Sequence, residues 1–167
     1  MKLPGSQPEE EQEPLGVLLL PGKLEEIQFE QHARGLLSIP RVLALEPPRI
    51  RLSRFMRETA SGKQAARLKF PGRPGLLVLY HPAQYPLARA ILARHDGAEL
   101  WYVPPVSGSL DDAEREADTL ARDRAARILD PAADGTVDDA PLRERLTELG
   151  IISPYAFVPG CPARSRP

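Results

Sequence analysis

The 167-residue chain is short of several things, and each shortage removes a class of protein. It has one cysteine, Cys161, which excludes an internal disulfide and any cysteine-based zinc site. Cys161 lies in a proline-rich tail with no nearby histidine or acid to activate it, so it reads as an inert thiol. No apolar run approaches the roughly 20 residues of a membrane span. The opening segment, with Glu9, Glu10, Glu11 and Glu13, is acidic where a secretory signal would be basic and then apolar. A cytoplasmic, soluble protein is expected. The formal net charge is −1, with basic residues interleaved among acids, which gives no footing for nucleic acid. The 3 histidines, His32, His81 and His95, are too scattered in sequence for a metal site, and no cofactor is expected.

What is present is a soluble α/β pattern. Hydrophobic residues make up 42% and charged residues 27%, ordinary for a globular chain long enough for one real core. The 19 prolines fall at the ends of expected elements and in the tails, where they act as punctuation. Residues 1–14 read as a disordered acidic tail, 15–152 as one domain, and 153–167 as a second, partly disordered tail around Tyr155-Ala156-Phe157-Val158.

Within the domain, strand and helix alternate. Leu15 to Leu20 is an apolar run stopped by Pro21-Gly22. From Lys23 the spacing turns helical, with Leu24, Ile27, Phe29, Ala33, Leu36 and Leu37 on one face. Arg41 to Leu45 forms a second strand. A broken helix follows, carrying Leu52, Phe55 and Met56, interrupted at Ser61-Gly62 and resumed at Lys63 to Leu68. Gly75 to Tyr80 is apolar without alternation, as in a central strand buried on both faces of a parallel sheet. Pro86 opens a helix to Arg94, closed by His95-Asp96-Gly97. Ala98 to Val103 is a fourth strand. Ser109 is the expected N-cap of a charged helix reaching Arg124, with Ala113, Ala117, Leu120 and Ala121 as its apolar stripe. The Asp111–Glu116 run reads as the solvated, acidic start of that helix. Ala126 to Leu129 is a short fifth strand, and a last helix starts at Asp139 or Ala140, carries Leu142, Leu146 and Leu149, and stops at Gly150. Strands joined by helical crossovers must be parallel, and right-handed connections make this a doubly wound, five-stranded, three-layer α/β/α sheet of Rossmann-like type.

In such a sheet ligands bind at the carboxyl ends of the strands, near the point where strand order reverses. Two loops leave that edge. Pro21-Gly22-Lys23 offers close backbone approach at Gly22 and a positive charge at Lys23, or is a plain turn with a solvated lysine. The loop His81-Pro82-Ala83-Gln84-Tyr85 offers His81 as a general base or hydrogen-bond donor, or as a histidine hydrogen-bonded to a loop carbonyl. Gln84 and Tyr85 are candidate ligand contacts, with packing on the sheet edge the other reading of Tyr85. No Walker loop, dinucleotide glycine triplet or nucleophile elbow is present, and Ser107 and Ser109 are no serine-hydrolase pair.

Gln31-His32-Ala33 on the first helix, then Arg41-Val42-Leu43-Ala44-Leu45-Glu46-Pro47-Pro48, resembles the N-terminal Rossmann-like half of bacterial two-domain (GT-B type) glycosyltransferases. Pro82, Pro86-Leu87-Ala88 and the strand ending in Trp101-Tyr102 extend the resemblance over about residues 15–150. It implies a unit that helps hold an acceptor sugar or lipid. In that family a second Rossmann half binds most of the nucleotide-sugar donor, so the resemblance implies a partner protein supplying that half. The chain departs from the pattern at Val103-Pro104-Pro105, where such enzymes carry an aspartate-rich loop; Asp111 and Asp112 come later. The other reading is a non-catalytic ligand-binding or protein-interaction module on the same scaffold.

Overall fold

The computed structural model describes residues 13–23, 29–46, 63–106 and 110–152. Five parallel strands form one sheet: β1 (Pro14–Leu19), β2 (Val42–Leu45), β3 (Arg73–Leu79), β4 (Glu99–Tyr102) and β5 (Arg127–Ile128), in the order β2-β1-β3-β4-β5. The helices are α1 (Glu30–Leu37), α2 (Tyr85–Arg94), α3 (Asp112–Arg124) and α4 (Ala140–Glu148), with a 3-10 turn at Pro82–Gln84 and a helical stretch over residues 63–67. This is the doubly wound Rossmann-like arrangement expected from the alternation of elements.

Period-two alternation sorts the strand side chains into two cores. On one face Leu18, Leu20, Leu76, Val78, Tyr80 and Trp101 pack against α1 and α4 through Ala33, Leu36, Leu142 and Leu146. On the other face Val17, Leu19, Leu77, Leu79, Leu100 and Tyr102 pack against α2 and α3 through Leu87, Ala88, Ile91 and Ala121. A strand buried on both faces has no polar side to alternate with, so Leu76 to Tyr80 reads as an unbroken apolar run. The chain moves outward from β1 to β2, then returns to β3 on the other side of β1, and so right-handed crossovers place α1 and α2 on opposite faces. The reversal falls between β1 and β3, which pair from Pro14↔Arg73 to Leu19↔Leu79.

Several boundaries differ from expectation. β1 begins at Pro14, because Glu13 is tied down: its carbonyl accepts from Arg73 N at 2.9 Å and its carboxylate pairs with Arg41 at 2.6 Å. Pro14 and Pro74 lack an N–H, and the β1–β3 register shifts beside them, between Leu15 and Gly16. The N-cap of α3 is Asp111, not Ser109. The Asp111 carboxylate accepts from Glu114 N at 2.7 Å while Glu114 accepts from Asp111 N at 3.1 Å, a capping box that a serine two residues earlier cannot form. Leu120, expected in the buried stripe of α3, is 43% exposed, whereas Ala121 is fully buried. Residues 1–12, Leu24, Ile27, Leu52, Phe55, Met56, Ser109, Cys161 and the 155–158 patch lie outside the described residues.

Candidate functional site

The carboxyl edge of the sheet carries the first turns of α1, α2 and α4, as the antiparallel run of helices against parallel strands requires. Between the start of α1 and the loop from β5 to α4 lies a cleft of about 520 Å³, lined by Phe29, Glu30, Gln31, His32 and by Asp134, Thr136 and Asp139. Its loop wall is shaped by a tight turn. Gly135 N donates to Ala132 O at 2.8 Å, Ala132 N donates to Thr136 O at 2.8 Å, and Gly135 takes φ of +88°, a conformation open to glycine at little cost.

His32 is among the residues lining this cleft and is only 9% exposed. Its Nε2 lies 2.9 Å from the Tyr80 hydroxyl, at the carboxyl end of β3. Phe29 stacks on the Tyr80 ring at 4.6 Å, and the His32 ring meets it edge-on at 5.6 Å. One helix turn on α1 and one strand end thus build a three-ring cluster beside the β1/β3 reversal. The other His32 nitrogen, Nδ1, is buried and has no hydrogen-bond partner among the described residues.

Burial holds the His32 imidazole below its ordinary pKa; Asp139 opposes that shift and Arg143 adds to it. Neutral imidazole is therefore the dominant form at pH 7. Burial, with Asp139 as a lesser cause, pushes the Tyr80 hydroxyl far above its usual range, so it stays protonated. Asp139 pairs with Arg143 at 2.8 Å. Asp134 is held below the ordinary carboxylate range by hydrogen bonds from Thr136, whose N–H donates at 2.9 Å. The cleft thus brings together a neutral imidazole, carboxylates and a hydroxyl.

The residues expected from the loops lie elsewhere. His81 caps the 3-10 turn, its Nδ1 accepting from Ala83 N at 3.0 Å, so its partner in the loop is an amide N–H and not the carbonyl of the alternative reading. Gln84 is buried at the start of α2. Tyr85 is buried in the α2/α3 core and lines a narrow crevice of about 40 Å³ with Pro82, Arg89 and Leu120. Among the described residues no atom lies within 4 Å of a Cβ built at Gly22, and Lys23 is exposed. Neither cleft is lined by Gly22, Lys23, His81 or Gln84. His32 and Gln31 were visible in sequence as part of the resemblance; their place in a cleft was not, because it depends on a loop more than 100 residues away.

Among the described residues no group of three or more His, Cys, Asp or Glu could hold a metal ion, and no helix is long and apolar enough to cross a membrane. No family model, curated protein or solved structure matches the chain.

Proposed function

We propose that this domain is the acceptor-side half of a glycosyltransferase of two-Rossmann type, holding a hydroxyl-rich acceptor in the cleft at His32. On this reading a second Rossmann-like unit binds the nucleotide-sugar donor. One observation carries the reading: the Gln31-His32 pair of the family resemblance lines the cleft at the carboxyl edge of the sheet, where ligands of open α/β sheets sit. The carboxylates of Asp134 and Asp139 suit sugar hydroxyls, which donate well to charged acceptors.

A second reading, a ligand-binding module without catalysis, is favoured by the partner of His32. Nε2 meets a neutral phenol, not the carboxylate that orients an imidazole for base catalysis.

The test is thermal unfolding of the purified chain against neutral glycosides, nucleotides and nucleotide sugars. A neutral glycoside at a hundred times its dissociation constant stabilises by about 2.7 kcal/mol, and the shift is lost in His32→Ala. Transfer activity in the presence of a donor-binding Rossmann-like unit separates the first reading from the second. No shift with any glycoside, in a cooperatively folded chain, overturns both.

A further inference from the structure

We propose that His32 is an acid-sensitive latch: a proton taken up by its buried imidazole releases α1 from the sheet and dismantles the wall that α1 gives the cleft. The release of α1 follows from packing alone. Its consequence for binding rests on the cleft being the ligand site.

Little else holds α1. At 8 residues it is shorter than the roughly 12–15 at which an isolated helix is even marginal in water. Its N-cap, Phe29, makes no side-chain hydrogen bond, and Gly35 weakens its interior. One buried face, Phe29, His32, Ala33 and Leu36, keeps it against the sheet. Among the described residues the 2.9 Å contact of His32 with Tyr80 is the one side-chain hydrogen bond between α1 and the sheet.

That contact suits a neutral imidazole and not a charged one. A neutral ring offers Nε2 as acceptor or donor, and the Tyr80 hydroxyl can serve either way. An imidazolium has two N–H donors and no acceptor. Its Nε2–H must take the Tyr80 oxygen, which turns the phenolic hydrogen away inside a side chain only 1% exposed. Nδ1, buried without a partner among the described residues, becomes a second donor sharing the positive charge. Such a group is costly to bury.

The charges around the ring do not offset this. Asp139, just ahead of α4, is bonded to Arg143 at 2.8 Å, and Arg143 reaches α1, its Nη2 lying 3.2 Å from a Cβ built on Gly35. On α1 itself Glu30 is paired with Arg34. From the end of β3 comes the Tyr80 phenol, which stays protonated, and β2 carries no titratable side chain. Asp134 borders the cleft from its loop, accepting from Thr136 N. Burial outweighs Asp139 and leaves the imidazole harder to protonate than in an opened chain. The sign follows. The closed form is fully stable above the ordinary histidine pKa of about 6.5, and as pH falls below it the open form binds a proton that the closed form refuses. The opening constant of α1 then rises toward about tenfold per pH unit until the folded value is reached.

The test is amide hydrogen exchange of the chain between pH 7.5 and 5.0, corrected for the intrinsic rate at each pH, with the His32 ring followed by 1H–13C NMR. The amides from Ala33 to Ser38, which close the turns of α1, are expected to lose protection by up to about tenfold per unit below pH 6.5. Those of β3 keep theirs, and the His32 ring titrates below 6.5. His32→Gln stays neutral throughout, and its α1 protection is flat across the window. Equal losses in α1 and β3 overturn the latch, because the whole fold then opens together. Unchanged α1 protection, a His32 midpoint at or above 6.5, or a pH dependence kept in His32→Gln overturns it as well. Should that variant fail to fold, the parent chain's His32 midpoint and its α1–β3 difference decide alone. Thermal shifts with glycosides at pH 7.5, where the imidazole is neutral, decide separately on the proposed function.

Discussion

Gly72→Ala is the substitution whose cost the backbone geometry defines most sharply. Gly72 is buried just ahead of β3, against the start of β1. A Cβ built there falls 2.3 Å from the Glu13 carbonyl oxygen and 3.2 Å from Leu15 Cγ. Carbon–oxygen contacts close no nearer than about 3.3 Å, so one chain must retreat by about 1 Å. The oxygen that has to move is the one accepting from Arg73 N at 2.9 Å, the bond that opens the β1–β3 ladder. Overpacking costs about 1–3 kcal/mol and the strained backbone bond about 1 more, for a total of about 2–4 kcal/mol. In a domain of this size that lowers the melting temperature by about 5–15 °C. Gly75 is the control, three residues on and beside the register shift. Its added Cβ meets Pro14 Cβ at 3.6 Å and Ile151 Cδ1 at 3.8 Å, ordinary contacts. Gly75→Ala stays within about 1 kcal/mol of the parent, since the lost freedom of the unfolded chain offsets small strain. Urea titration of both variants measures the difference. Equal midpoints for the two alanines would refute the close approach of Glu13 to Gly72.

Two other predictions concern charge. Glu99 accepts from Trp101 Nε1 at 2.6 Å and from Arg145 Nη2 at 2.8 Å, tying β4 to α4. The Arg145 hydrogen bonds hold its carboxyl below the ordinary range. A carboxyl lowered on folding stabilises above its unfolded pKa of about 4.3 and loses that contribution as pH falls through the folded value. Glu99→Gln therefore flattens the acid limb of stability below about pH 4.3, and unchanged curvature there would count against the network. Asp111→Ala removes the capping box of α3 and costs about 0.5–2 kcal/mol by chemical denaturation; an unchanged midpoint would count against the box.

The fold was largely legible because burial on both faces leaves a plain mark. Leu76 to Tyr80 shows no alternation, and a strand of that kind between helical crossovers has few places to go but the middle of a parallel sheet. The Asp111 cap was less legible, since serine and aspartate are both good caps and only the reciprocal bond to Glu114 chooses between them. Leu120 shows the limit of helical spacing. Ala121, one position on, faces the sheet, and a rotation of 100° decides which of two neighbours is buried. For the site, reasoning from the switch point led to the loops holding Lys23 and His81, while the cleft opens one turn away, where α1 meets the loop before α4. The Asp134-Gly135-Thr136 turn was the available signal. It reads as a simple chain reversal until topology carries α4 back across the sheet to α1, a placement no local pattern encodes.

The most direct measurement is a map of backbone amide shifts as a neutral glycoside such as maltose is titrated into the 15N-labelled chain. The account predicts shifts concentrated at Phe29 to His32 and Asp134 to Asp139, with Gly22, Lys23, Gln84 and Tyr85 unmoved. Shifts concentrated at those last four residues, with the His32 cleft silent, would contradict it.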